Sequence, residues 1–348
     1  MKTLCIYIGY TSFLTDFYGT EISIVKLSSE LYKQYKIYIV TLRDDPTTLY
    51  NEFTYINYIN YTNLVDVKID ILIISRYINY FTYCHLNPKK TYIWVHDVNI
   101  LGYFQNYSFD NNGRELLYNV LDKVDKIILL SDWHKIYFQH CYNKVPNNKI
   151  KIIGNGISTQ NFKPFDLSSK IKNRFIWISC LNRGIERMVS IFSLIHNEFP
   201  DAELHVFRDT IVKEEYVESI KDTSYIYFHG KVHNEKIIEE LKKSEYWFYP
   251  TTFHETYCIS ALESQMAGCV TIATDIGSLN TTVGNHGILL SNDLSNDEMA
   301  IEVIKIMNND KLKEETIKKG YEWALKQDWS IIKDEWLKLF NHKKYLLF

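Results

Sequence analysis

Short apolar runs alternate with amphipathic stretches along most of the chain. Leu4 to Ile8 is a continuous apolar run that ends at Gly9, and it predicts a buried strand. A glycine-containing loop, Gly9 to Thr20, leads to Glu21–Tyr32, where Ile24, Leu27 and Leu31 recur at helical spacing. Lys36 to Thr41 predicts a second strand, and runs over 70–75, 91–96 and 126–131 predict three more. The Tyr- and Asn-rich segment from Phe53 to Asn63 fits neither period, and its state stays open. Strands alternating with helices predict an α/β domain with a mostly parallel sheet.

The pattern restarts after residue 150. Ile152-Ile-Gly-Asn-Gly-Ile-Ser reads as a strand entering a turn, and Pro164-Phe-Asp-Leu-Ser-Ser has linker composition. A second series follows, with strands predicted over 174–179, 202–207, 225–229, 246–249, 270–274 and 287–290. Helices are predicted over 185–198, 235–243, 258–267, 297–308, 311–326 and 330–340. The expected fold class is therefore α/β, with two Rossmann-like doubly wound domains over 1–163 and 164–326 and a terminal helical segment over 327–348. Two such domains would leave a cleft, and open parallel sheets bind ligands beyond the carboxyl ends of their strands. Gly19, Arg183 and Glu255 all follow predicted strands.

A chain of 348 residues suits two domains. With 46% hydrophobic and 23% charged residues it has ordinary globular composition. A formal net charge of −3 with no basic stripe argues against broad nucleic-acid binding. The 27 Tyr, 7 Trp and 18 Phe, with abundant Asn, Ile and Lys, read first as the codon bias of an AT-rich genome. A low-GC bacterium, a eukaryotic parasite or a large DNA virus would fit. No run reaches the length of a membrane span, and the start reads as a strand rather than a signal peptide. The six Cys form no CxxC pair, which argues against a zinc site or disulfide framework and for a reducing, cytoplasmic setting. No nucleic-acid partner is expected, and oligomeric state is not readable.

The densest chemistry lies in Tyr249-Pro-Thr-Thr-Phe-His-Glu-Thr-Tyr-Cys-Ile-Ser-Ala-Leu-Glu263, which sets Glu255 and Glu263 eight residues apart. Ala267-Gly268 and a strand-like run follow. A helix starting just after Glu255 would present unpaired amides and the positive end of its dipole, a site suited to a diphosphate. A carboxylate one or two turns in would hold ribose hydroxyls.

With its lead-in Tyr246-Trp-Phe-Tyr-Pro, this Glu-x7-Glu stretch resembles the retaining glycosyltransferases of the GT-B fold, family 4. Asn155-Gly-Ile-Ser-Thr-Gln-Asn-Phe162 resembles the family's Asn-Gly-Val-Asp-x-x-x-Phe, and Arg183-Gly-Ile-Glu before Phe199-Pro-Asp-Ala-Glu-Leu resembles its Lys-Gly helix and Pro-x-Ala-x-Leu. The resemblance covers most of the chain and is strongest from about Ile150 to Leu290. It implies transfer of a sugar from a UDP- or GDP-linked donor to a hydroxyl of a glycan or other acceptor, with retention by front-face attack and no metal or other cofactor. Glu255 would contact the transferring sugar, and His96 would stand near it with Asp97 beside it. The amides of Tyr257 and Cys258, at the helix start with Ile259, would hold the diphosphate, and Glu263 the ribose. Gly19 and Thr20 would approach the diphosphate from the first domain, Arg183 would neutralise it, and the turn at Gly230 would lie by the base. The terminal helix would cross back to the first domain. Acceptor contacts are expected from the loops Tyr10–Tyr18 and Asn99–Asn111.

One departure stands out. The family places an Arg and a Lys a few residues apart; Arg183 matches the Lys, while Ser179-Cys180 stands near the place of the first cation. Arg187, one turn further on, either compensates or faces solvent. Each candidate also has a plainer reading: Glu255 as a loop acid or cap, Glu263 in a structural ion pair, His96 as a packing residue, Asp97 as its orienter or a helix cap. Rival functions are a non-catalytic nucleotide-sugar-binding protein, another GT-B enzyme such as an epimerase or phosphorylase, and a scaffold that keeps only the fold.

Overall fold

The computed structural model describes residues 1–9, 19–41, 49–50, 56–60, 64, 66–84, 86–100, 111–207 and 223–341. The chain forms two compact units. Unit 1 comprises Met1–Gly156 with Trp329–Phe348, and unit 2 comprises Ile157–Asp328.

Among its described residues, unit 1 is built on eight strands: β1 Lys2–Tyr7, β2 Tyr35–Thr41, β3 Leu49–Tyr50, β4 Ile56–Asn60, β5 Ile71–Ser75, β6 Lys90–Trp94, β7 Lys126–Leu129 and β8 Ile150–Ile152. Their order is β3-β4-β2-β1-β5-β6-β7-β8, and every pairing is parallel except β3 with β4. The central strands are continuous apolar runs because both faces of a parallel sheet are covered. Leu4 stands between Ile37 and Ile71, and all three are buried. The helices α1 Gly19–Leu31, α2 Tyr80–Tyr83, α3 Asn111–Val120 and α4 Asp132–Cys141 connect them. The segment whose period was unreadable contains β4. Asn57 and Asn60 are poor strand formers, and pairing with β2, Ile37 against Ile56, overrides that local preference.

Unit 2 is a six-stranded, all-parallel sheet. Its strands are β9 Ile171–Trp177, β10 Glu203–Val206, β11 Ile226–Phe228, β12 Ser244–Tyr249, β13 Val270–Thr274 and β14 Ile288–Leu290, in the order β11-β10-β9-β12-β13-β14. Helices α5 Ile185–Glu198, α6 Asn234–Lys243, α7 Ile259–Met266, α8 Leu279–Thr282, α9 Asn296–Met307 and α10 Asp310–Ala324 complete it. A reciprocal cap starts α9, where Ser295 accepts from the Glu298 amide and the Glu298 carboxylate accepts from that of Ser295. Aromatic residues fill the core: Phe175 stacks on Tyr246 at 4.6 Å, and Trp177, Trp247 and Phe248 are fully buried. Both units are thus Rossmann-like, as the alternating pattern predicts.

The last helix, α11 Trp329–Asn341, packs within unit 1. Trp336 meets Trp94 at 4.9 Å, the Tyr92 hydroxyl donates to the Leu339 carbonyl, and Lys333 pairs with Glu30 at 3.3 Å. Gly156 lies against Trp329, where an added Cβ would come within 2.8 Å of the ring. On the unit 2 side of that boundary, the Thr159 amide and hydroxyl both donate to Asp328, at 3.0 and 2.7 Å. Among the described residues, no helix is long and apolar enough to cross a membrane.

Candidate functional site

In unit 2 the carboxyl ends of β9 and β12 bring Arg183 and Glu255 together. After β9 the chain makes a short turn over Leu181–Arg183 and enters α5 through Gly184, at φ +116°, a conformation that favours glycine. After β12 the loop from Pro250 is latched by Thr251, whose hydroxyl donates to the Arg183 carbonyl at 2.6 Å and accepts from the Phe253 amide at 2.9 Å. Arg183 Nη1 donates to Glu255 Oε1 at 2.6 Å, and the guanidinium lies 4.4 Å over the Phe253 ring. The Tyr249 hydroxyl donates to the same Oε1 at 2.8 Å. The Glu255 side chain is 7% exposed and that of Arg183 24%, so the cation keeps an open side while the acid does not.

The Glu255 backbone is fixed from the next loop. Its carbonyl accepts from the Ser278 amide at 2.8 Å. Gly277, at φ +59°, approaches so closely that a Cβ there would lie 2.9 Å from the Glu255 nitrogen and oxygen.

Electrostatics bind this cluster further. Burial opposes the Arg183 charge, but Glu255, Tyr249 and Cys180 outweigh it and raise its pKa above the ordinary value. Burial, followed by the Glu255 charge, pushes the Tyr249 phenol well above its usual range, so it remains a neutral donor. The same two causes hold the Cys258 thiol well up.

Tyr257 and Cys258 are buried and lead straight into α7. Cys258 occupies the N-cap without a side-chain cap bond, where Ser, Thr, Asp or Asn would ordinarily close the first amides. Ile259 is the first residue of α7 and Glu263, half-buried, the fifth. Gly230 follows β11 at φ +68°, with no atom within 4 Å of where a Cβ would stand. Arg187 takes a course the sequence reading did not anticipate. It donates to Asn292 at 3.1 Å, Asn296 at 3.3 Å and the Leu294 carbonyl at 2.8 Å, which ties α5 to the loop between β14 and α9.

In unit 1 a second charged cluster forms where β5 and β6 end. Arg76, at φ +65°, donates through Nε to Asp97 at 2.7 Å and through Nη2 at 3.1 Å, a two-point fork. Its Nη1 lies 3.8 Å from Glu21, in the first turn of α1. The sequence reading placed Asp97 beside His96 or on a helix cap; the structure gives its carboxylate to Arg76. The Asp97 carbonyl is met by His134 Nε2 at 3.1 Å, while the Leu130 amide donates to Nδ1, so His134 is the Nε2–H tautomer. Burial holds His134 down to about 3. His96 is 6% exposed and 4.4 Å from the Trp94 ring. Burial, then Arg76 and His134, hold it well below 6.5, so it is neutral. Gly19 and Thr20 are the first two residues of α1 rather than loop. The helix already runs there, since the Ser23 hydroxyl bonds back to the Gly19 carbonyl at 2.7 Å. The expected acceptor loops lie outside the described residues, apart from Asn99, Ile100 and Asn111.

Residues 172–309 match the family described as glycosyl transferases group 1. Solved structures extend the likeness to both units. Sucrose-phosphate synthase from Thermosynechococcus elongatus superposes with a TM-score of 0.81 at 13% identity, over 98% of this chain and 98% of that one. Anabaena HepE in complex with UDP gives 0.75 at 14%, over 97% and 99%. WaaG, a glycosyltransferase involved in lipopolysaccharide biosynthesis, gives 0.71 at 14%, over 98% and 100%. The chain has the GT-B fold, and residues 172–309 within unit 2 resemble the group 1 glycosyl transferases. No curated protein matches it by sequence. Among the described residues no His, Cys, Asp or Glu cluster is arranged to hold a metal ion.

Within this GT-B framework, sequence reasoning missed Tyr249, Gly277 and Arg76. The polar Tyr249 sits at the buried end of an aromatic strand, and that was its available signal. Arg76 gave none, because its role depends on a left-handed backbone that no local pattern announced.

Proposed function

We propose that the protein is a retaining glycosyltransferase that moves a sugar from a UDP- or GDP-linked donor to a hydroxyl acceptor. The observation that carries this reading is Glu255, held by Arg183 and Tyr249 two residues before the buried pair that opens α7. Arg183 would exchange Glu255 for the diphosphate of the donor, and the first amides of α7 would add donors aimed at the same anion. Glu255, released from its cation, would take the sugar hydroxyls and steady positive charge at the anomeric carbon. Glu263 would hold the ribose and Gly230 would border the base. Asp97 would act through Arg76 and the loop it fixes. The acceptor hydroxyl would pass its proton to the departing phosphate oxygen, so no separate protein base is required and the protein's own cation and amides do the neutralising.

A second reading, a nucleotide-sugar-binding protein without catalysis, is favoured by one observation. Ser179 and Cys180 stand where a second cation would be expected, and Arg187 is committed to the β14–α9 loop. A panel of UDP- and GDP-sugars separates the two readings, with binding and sugar release measured for the wild type, Glu255→Gln and Arg183→Ala. The expected result is one donor that binds and slowly loses its sugar, with release down about a hundredfold or more in Arg183→Ala, the scale of removing one preorganised charge-stabilising group. Binding without release, even with acceptor mixtures, would select the binding protein. No binding to any donor would end both readings.

A further inference from the structure

We propose that Tyr249 is the positioning residue that keeps the Glu255 carboxylate aligned when Arg183 turns to the donor diphosphate. The inference rests on the donor-site reading of Glu255 and adds to it a residue from the strand behind the motif.

The argument starts from one oxygen. Arg183 and Tyr249 both donate to Glu255 Oε1, at 2.6 and 2.8 Å, but they are built differently. Arg183 reaches the acid with one nitrogen from the end of a long side chain whose open side is 24% exposed. That single contact can be given up for a phosphate. Tyr249 is the last residue of β12, 1% exposed, with its ring against Trp177 and Trp247, each at 5.2 Å. It has nowhere to go. A buried carboxylate that lost its cation and had no other donor would be left unpaired in a dry site, which is costly, and would swing toward another partner. A displaced carboxylate would no longer face an anomeric centre. The phenol prevents this by holding the same oxygen. It is suited to the task because burial beside the carboxylate keeps it from ionising. The Gly277–Ser278 turn fixes the Glu255 backbone in the same way, so only the carboxylate's partner changes during donor binding.

Tyr249→Phe removes the hydroxyl and keeps the ring, which makes it the appropriate variant, and a melting curve would show that it folds. The first readout is the Glu255 13C carboxyl resonance in the full-length protein at one fixed pH, assigned through Glu255→Gln. Tyr249→Phe should shift that resonance, and shift it further in an Arg183→Met background, where the phenol is the remaining donor among the described residues. An unchanged resonance in both backgrounds would overturn the proposal. The second readout uses the donor identified by the screen. kcat should fall about ten- to hundredfold, the range for losing one hydrogen bond to a charged group, with KM within about twofold. A rise in KM with kcat unchanged would also overturn it. If no nucleotide sugar serves as donor, the functional reading fails, while the carboxyl resonance still decides whether Tyr249 governs Glu255.

Discussion

The two units each place an arginine against a carboxylate at strand ends, and the two pairs are not equivalent. In unit 1, Arg76 grips Asp97 with two nitrogens, and the paired side chains are 8% and 10% exposed. Glu21 adds a second acid from α1. In unit 2, Arg183 touches Glu255 with one nitrogen, keeps an exposed side, and shares its acceptor with a phenol. A forked, closed pair fixes three segments of backbone relative to one another. A single contact backed by a second donor can be exchanged. The same chemical parts therefore make a clamp in one unit and a working pair in the other, and the difference lies in geometry and access rather than in residue type.

The largest test of that contrast is stability. Asp97→Ala would leave Arg76 buried without its fork partner and should cost about 3–5 kcal/mol, the range for breaking one side of a buried ion pair. Arg183→Ala should cost less, because the Tyr249 hydroxyl still donates to the Glu255 carboxylate that remains. Urea denaturation of both variants, with hydrogen exchange to assign the loss to a unit, measures the difference. Equal costs would erase the distinction between clamp and working pair.

Acid should separate the units next. His96 and His134 are buried and neutral in unit 1, with His134 held down to about 3, whereas the unfolded chain protonates them near 6.5. Between those values the unfolded state binds the extra proton, so stability rises with pH. The contribution is fully present above about 6.5 and is lost as pH falls from there toward the folded values, by up to about 1.4 kcal/mol per pH unit for each fully buried imidazole. In unit 2, His205 and His229 are also lowered, chiefly by burial, and hydrogen-bond each other at 2.9 Å, but His229 faces solvent. Hydrogen exchange at pH 7.5 and 5.5 should therefore show unit 1 loosening before unit 2. The reverse order would mean that the buried imidazoles of unit 1 do not set its acid limit.

How much of this was written in the sequence differs between the same two regions. The helix over 185–198 and the strand over 270–274 lie where periodicity put them, because apolar spacing and flanking turns agree there. Glu255 was legible as an acid just before a helix start, since the motif packs that chemistry into a short span, whereas Arg183, 72 residues away, entered through its place after a predicted strand and the family resemblance. The partner of Glu255 inside β12 was not, because a tyrosine in an aromatic strand reads as core. In unit 1 little of the cluster could be read. Arg76, Asp97 and Glu21 are joined only by the parallel pairing of β1, β5 and β6, and sequence separation hides such contacts. The start of α1 was placed late because Gly19 and Thr20 are weak helix formers, and the back-bond from Ser23 that favours the helical turn cannot be seen in composition.

The smallest expected effect gives the sharpest contrast, because it compares two arginines four residues apart. Arg183 closes the turn before α5, and Arg187 lies one helical turn later on α5 itself. If positive charge near the donor site were all that mattered, both would contribute. The geometry assigns them opposite duties. Arg187 spends its donors on Asn292 and the Leu294 carbonyl in the β14–α9 connection and on Asn296 at the start of α9. Arg187→Ala should therefore lower stability by about 1–2 kcal/mol, the scale of losing one or two net hydrogen bonds, and leave affinity for the donor within about twofold. Arg183→Ala should do the converse, sparing the fold and weakening the donor. Denaturation curves and calorimetric titration of the two variants with the same nucleotide sugar would measure both. A loss of donor affinity in Arg187→Ala comparable to that in Arg183→Ala would restore Arg187 as the second cation and remove the main argument for a site that works with one.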